Sequence, residues 1–417
     1  MLSIIKRMKL GSIWNFGLFS ILQLSIQGLN LVINILLTRK ISVHEFGTYS
    51  IILTILGIVS TLGFSWSASI LTFHGSKEIA DQGNMRKTIQ ARNLLLLISV
   101  TITSILFVIF NRQINDYVGY SYSLLIFVWV IVRGIQENFS FYFIAREKKI
   151  VSSLLGFLPK IITVLALLVA NVDLLDVLYI SVASEALSLI LLVYINKEDF
   201  RKADLDKEYF LEVLKFGLWQ LFGSMAIYVT NFGDNFVIKY FLNSKEVGIY
   251  NAAYKLFAGI YLMSNIISSF FVAKIVKYFQ SNDKRKVKEF FFNTRILFFS
   301  IIVLVHIICI LLAKPIFIFV YPNEYMESVK IFQVLLIASI CRYWTVFEML
   351  YFNINKMYHV QQILNILSAG LNILLDIVLV PIYGILGAAI ATTVSIVLVS
   401  IISFWICEPK ILKFVRE

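Results

Sequence analysis

Charge is scarce in this chain: only 15% of its 417 residues are Asp, Glu, Lys or Arg, against roughly 25% in an ordinary soluble domain. That deficit excludes a soluble enzyme, a disordered chain and a nucleic-acid-binding domain. The three cysteines, Cys309, Cys341 and Cys407, all lie in apolar runs, so no disulfide framework is implied. The four histidines form no metal-ligand spacing, and no G-x-x-x-x-G-K-[ST] nucleotide loop occurs. Polar segments are also short. The longest, near 74–91, 196–212 and 274–289, leave no room for a soluble domain.

What the chain has instead is apolar length. Hydrophobic residues make up 59% of it and the mean hydropathy is +0.83. A membrane helix needs about 20 mostly apolar residues. Twelve stretches qualify, at about 12–37, 47–73, 93–110, 120–144, 154–170, 174–195, 213–238, 247–273, 290–312, 328–352, 361–380 and 384–407. Pro159 and Pro381 are expected to interrupt or bound two of them. The N-terminus begins like a signal peptide, with Lys6, Arg7 and Lys9 before an apolar run. That run exceeds a signal-peptide core and no small-residue cleavage site follows, so a retained first helix is expected.

The net charge of +12 reads mainly as topology. With the N-terminus inside, the inner segments carry about four times as many Lys and Arg as the outer loops. They include Lys77, Arg86, Lys87 and Arg92, then Arg146, Lys148 and Lys149, then Lys284, Arg285, Lys286 and Lys288. Both termini are then expected in the cytoplasm.

The sequence also repeats. Residues 38–50 read TRKISVHEFGTYS and residues 239–251 read KYFLNSKEVGIYN, and Phe16-Gly17-Leu18 matches Phe216-Gly217-Leu218. An offset of about 200 residues predicts two halves in parallel orientation, six-helix bundles over 1–200 and 201–417. A third stretch, 371–393, breaks at Pro381. It then opens a helix with a small-residue face at Gly384, Gly387, Ala388, Ala389 and Ala391, suited to close helix approach.

The pattern at 246–255, EVGIYNAAYK, together with Asn372, Asp376, Pro381, Tyr383, Gly384 and the GAAIAT run at 387–392, resembles the Wzx-type polysaccharide flippases. These are the polysaccharide-transporter branch of the multidrug/oligosaccharidyl-lipid/polysaccharide (MOP) exporter superfamily. The resemblance implies an all-α polytopic membrane protein with a MATE-like fold. It implies a non-enzymatic flippase that carries undecaprenyl-pyrophosphate-linked oligosaccharide units from the inner to the outer leaflet of the bacterial cytoplasmic membrane, for O-antigen or capsule synthesis. Implied partners are the lipid-linked oligosaccharide, membrane lipids, a polysaccharide polymerase and a chain-length regulator, with no nucleic acid. No cofactor is expected. Energy would come from proton or sodium coupling, the membrane potential, or consumption of the glycan outside. Twelve spans depart from the fourteen usual in the lipid II flippases of the superfamily.

Ionisable residues inside spans are costly, roughly 2.5–3.5 kcal/mol each on insertion scales, and point by default to a lined cavity. Arg342, Lys255, Arg133 and Lys160 are the candidate substrate-binding cations of a cavity between the halves. Arg and Lys both suit phosphate oxygens. Asp234, Glu137 and Asp376 are the candidates for holding a coupling ion or proton. Each has a structural alternative. Arg133 and Glu137, four apart, can neutralise each other; Lys160 and Lys255 can snorkel; the Asp residues can bond neighbouring helices. His306 is expected to be packed and hydrogen-bonded. Two other functions stay open: a multidrug or cation extruder, which would favour an acidic cavity, and a membrane glycosyltransferase or polymerase, which would need catalytic acids in a large outer loop.

Overall fold

The computed structural model describes residues 10–195, 206–355 and 357–416. The expected charges at Lys6, Arg7 and Lys9, and residues 196–205 of the polar segment near 196–212, lie outside these. Among the described residues the chain is helical throughout, with no strand. Twelve long helices form in order: α1 (Leu10–Lys40), α2 (Val43–Gln82), α3 (Arg86–Ile109), α4 (Ser123–Ala145), α5 (Lys149–Val169), α6 (Leu174–Ile195), α7 (Lys207–Phe241), α8 (Ser244–Gln280), α9 (Lys284–Leu311), α10 (Ser328–Ile354), α11 (Tyr358–Tyr383) and α12 (Ile385–Arg416). Each expected span falls on one of them, and the all-α polytopic class holds. Among the described residues ten stretches, on α1 to α6 and α9 to α12, are long and apolar enough to cross a membrane. Their flanks expose side chains that water would not tolerate in such numbers, such as Leu97, Val169, Ile190, Leu311 and Leu374.

Several helices overrun the expected polar breaks. α2 continues to Gln82 and α8 to Gln280. Gly83, at φ 70°, ends α2 in a left-handed turn. The Glu78 carboxylate then accepts from the Lys87 and Thr88 amides at 3.0 and 2.9 Å, capping the start of α3.

Pro159 does not interrupt its helix; α5 runs through it. A mid-helix proline leaves the carbonyl four residues back without its donor. Here that carbonyl belongs to Leu155, and the Gln136 side chain of α4 donates to it. Pro381 likewise lies inside α11, which ends two residues later at Tyr383 and is capped by Gly384. There φ 61° and ψ −145° require glycine.

The chain divides into two compact units. Unit one holds residues 1–41 and 52–225, and unit two holds 42–51 and 226–417. In unit one α5 packs against α1, α4 and α6; in unit two α10 and α12 pack together, with α8, α9 and α11 around them. The third and fourth helices of each set are joined through an eight-residue helix, Asn111–Val118 and Ala313–Val320.

The repeat motif has a structural basis within unit two. Ser42 and Glu45 form a capping box at the start of α2: the Glu45 amide donates to Ser42 Oγ at 3.2 Å and the Ser42 amide to Glu45 Oε2 at 2.9 Å. At the corresponding place the Glu246 amide donates to Asn243 Oδ1 at 3.1 Å, capping α8. The matched glycines then touch. A Cβ on Gly47 would lie 1.6 Å from Ser244 O, and one on Gly248 would lie 2.5 Å from Val43 O. The two helix starts cross at backbone contact, and only glycine permits it.

Candidate functional site

Unit two gathers four polar side chains from different helices around Asp234 of α7. Tyr250 OH of α8 donates to Asp234 Oδ2. Thr392 of α12 donates to the same oxygen at 2.7 Å, and Asn372 Nδ2 of α11 donates to Thr392 Oγ1 at 3.2 Å. Asp376, one turn further along α11, interacts electrostatically with Asp234. All five are buried, and Asp376 is 0% exposed. Asp234 Oδ1, Asn372 Oδ1 and both Asp376 oxygens otherwise have no partner.

Two adjacent carboxylates cannot both stay ionised there without compensation. Among the described residues neither has an ion-pair partner. The available donors are all oxygens: two carboxylates, an amide carbonyl, a hydroxyl and a phenol. That set suits a hard cation or a proton held between the acids. Sequence reasoning found Asp234 and Asp376 separately. It gave no role to Tyr250 and Thr392, whose only signal was their place in the resemblance motif.

On the same unit an aromatic ladder climbs α8. Tyr250 and Tyr254 stack at 6.1 Å, Tyr254 and Phe257 meet at 5.5 Å, and Phe257 and Tyr261 stack at 6.4 Å. The two candidate cations of this unit stand against aromatic rings. The Arg342 guanidinium lies 5.6 Å over Tyr261, and Lys255 Nζ lies 5.8 Å over Phe232. Both are half-buried. Tyr254 feels both Asp234 and Arg342, so the acid cluster and the cationic ladder adjoin.

Unit one holds the other candidates. Arg133 Nε is 4.0 Å from Glu137 Oε1, and Ser65 Oγ donates to Glu137 Oε2 at 2.5 Å. Glu137 is therefore brought together with Arg133 and Ser65 within unit one. Lys160 interacts electrostatically with both Glu185 and Arg133. Glu185 also accepts from Trp129 Nε1 at 2.9 Å.

A third basic residue was assigned to the inner flank on sequence grounds and is instead fully buried. Arg92 is 0% exposed and donates through Nη2 to Phe64 O at 3.1 Å. The reason lies in α2, where residues 61–65 and 71–75 form π-turns. Such wide turns free backbone groups and recur at functional sites. Glu137 adds electrostatic compensation for Arg92. The cluster thus carries three cations, Arg92, Arg133 and Lys160, against Glu137 and Glu185. His306 is packed as expected: it is buried, with Nδ1 2.7 Å from Ile302 O.

Twelve long helices in two units, with ionisable groups buried in both, make an all-α polytopic fold of the MOP type. Solved structures of that fold are similar over nearly the whole chain. A lipid II flippase MurJ in an inward closed conformation gives a TM-score of 0.71 at 14% identity, covering 95% of this chain and 90% of that one. An inward-facing multidrug resistance MATE family transporter of the MOP superfamily gives 0.66 at 13% identity, covering 93% and 95%. A MOP superfamily transporter from Pyrococcus furiosus, described as having a binding pocket of reverse polarity, gives 0.62 at 14%, covering 95% of each chain. No curated protein matches the chain by sequence. The family model described as "Polysaccharide biosynthesis protein" matches residues 13–274, and the chain belongs to that family. It is a multi-pass membrane protein.

Proposed function

We propose that this protein is a Wzx-type flippase. It moves undecaprenyl-pyrophosphate-linked oligosaccharide units from the inner to the outer leaflet of the bacterial cytoplasmic membrane by alternating access, with both termini cytoplasmic. The six-helix halves are assigned to residues 1–200 and 201–417. The observation that carries this reading is the cation-and-aromatic face of α8 and α10. Arg342 and Lys255 offer charge-assisted donors to pyrophosphate oxygens, and the ladder from Tyr250 to Tyr261 offers stacking faces for sugar rings. Arg133 and Lys160 offer further cations for phosphate oxygens within unit one. The Asp234–Asp376 cluster takes the coupling ion, sodium or a proton, and Glu137 serves as a second acid near Arg133. No cofactor is needed for this cycle. The polymerase and chain-length regulator of O-antigen or capsule synthesis are its expected partners.

Deleting the gene in its host tests the reading. Lipid-linked repeat units should accumulate facing the cytoplasm, and surface polysaccharide should be lost. A strain with normal surface glycan and new sensitivity to cationic drugs would instead identify an extruder. The buried acid pair is the feature that would serve that second function.

A further inference from the structure

Unit two contains another buried ionisable cluster, at the end where α9 opens with Lys284, Arg285 and Lys286. Arg295 of α9, Glu348 of α10 and Glu408 of α12 meet there. Arg295 Nη1 lies 2.6 Å from Glu408 Oε1, with the two side chains 1% and 9% exposed. The guanidinium lies 4.0 Å over the Trp344 ring and 4.8 Å from that of Phe291, and its Nε donates to Phe291 O at 3.2 Å. One cation is thus held by one carboxylate and two aromatic faces.

Glu348 is the surplus acid. It is 0% exposed, and neither carboxylate oxygen makes a hydrogen bond of good geometry. The polar and charged groups acting on it are the Ser403 hydroxyl, Glu408, Arg295 and the Trp344 indole. Cys407 faces the same three ionisable groups, with Lys410 beyond. The rest of the enclosure is the apolar core of the unit, with Phe290, Phe291, Phe347, Tyr343 and Tyr351. Two carboxylates share one guanidinium in this space. A second anion would be uncompensated and costly, so the surplus acid holds a proton.

We propose that Glu348 is a proton-binding site, loaded and emptied by the choice of partner that Arg295 makes. While Arg295 pairs with Glu408, Glu348 keeps its proton. When α12 shifts against α10 and Arg295 pairs with Glu348, the Glu348 O–H bond breaks and the proton passes to water at the basic end. Glu408 is then left to water and Lys410.

The site is separate from the oxygen cluster. Glu408 lies sixteen residues beyond Thr392 on α12, about 24 Å by helical rise. It also differs in selectivity. The fixed guanidinium repels a metal cation, and only a covalently attached proton neutralises Glu348 beside it. The inference holds whatever the cargo, so failure of the flippase reading leaves it standing.

Infrared difference spectroscopy of the purified full-length protein tests it, by the carbonyl stretch of protonated carboxylic acids in water and heavy water. At neutral pH the Glu348→Gln variant should lose one such band and melt at the wild-type temperature, since an amide replaces a neutral acid. Glu408→Gln should lose the same band, because Arg295 then ionises Glu348. Asp234→Asn should leave it in place. A band that survives Glu348→Gln overturns the proposal. So does a Glu348→Gln variant that melts well below the wild type or fails to fold, since either means the acid was ionised and paired.

Discussion

Gly47→Ala is the sharpest structural perturbation the molecule offers. The added Cβ would meet Ser244 O at 1.6 Å, Ser244 C at 2.6 Å and Gly248 N at 2.9 Å. All three are backbone atoms at the start of α8, so no side chain can rotate away. Ordinary contact requires the two helix starts to part by about 1.5 Å or more, across a junction closed by two capping interactions. Overpacking by one methyl typically costs about 1–3 kcal/mol, and this site belongs at or above the top of that range. With an unfolding entropy of about 2.1 cal/mol/K per residue over 417 residues, a cost of about 3 kcal/mol corresponds to a fall in Tm of roughly 3–4 °C. The assay is thermal unfolding of the detergent-solubilised protein by tryptophan fluorescence. Gly370→Ala in α11 is the control, because nothing lies within 4 Å of its added Cβ. That control should be neutral or mildly stabilising. Equal melting of the two variants would refute the backbone crossing.

Other expectations concern charge. Arg295→Gln should cost about 3–5 kcal/mol, because it strands Glu408 in a buried site; denaturant or thermal unfolding measures it. Wild-type Tm should rise with sodium at constant ionic strength. Asp376→Asn should abolish that rise if the Asp234–Asp376 pair is the ion site. Burial and the neighbouring Glu327 carboxylate raise the Glu246 acid above its usual range. The folded protein then holds that proton more tightly than the unfolded chain. Stability should therefore fall as pH rises through the ordinary glutamate value, about 4.3, up to the folded one. Glu246→Gln should remove that slope from the pH profile of Tm.

The positions of all twelve helices were legible because lipid demands uninterrupted apolar length, and that is written locally. Their ends were less so. α2 and α8 carry their helices past the membrane-length run into polar residues, which hydropathy does not mark. The effect of Pro159 was not legible either, since its remedy is Gln136 on another helix. The repeat was visible as matched letters, but not as two glycines in mutual contact. In the site, Asp234 and Asp376 were individually conspicuous. Their pairing was not, because 142 residues separate them. Arg92 and Glu408 were missed because each falls just outside an expected span, where a charge reads as an ordinary flank; Arg295 lies inside its span and was passed over. Packing and the α2 π-turns, not spacing, bury them.

The central claim is that Arg342 and Lys255, set against aromatic rings, hold a phosphate-bearing lipid-linked glycan during its passage. The direct measurement is leaflet exchange of lipid-linked oligosaccharide in proteoliposomes, comparing the wild type with Arg342→Ala, Lys255→Ala and the double variant. The account expects each single variant to slow flipping at least tenfold, a loss of about 1.4 kcal/mol or more, with Arg342→Lys recovering part of it. Unchanged flipping in the folded double variant would contradict it.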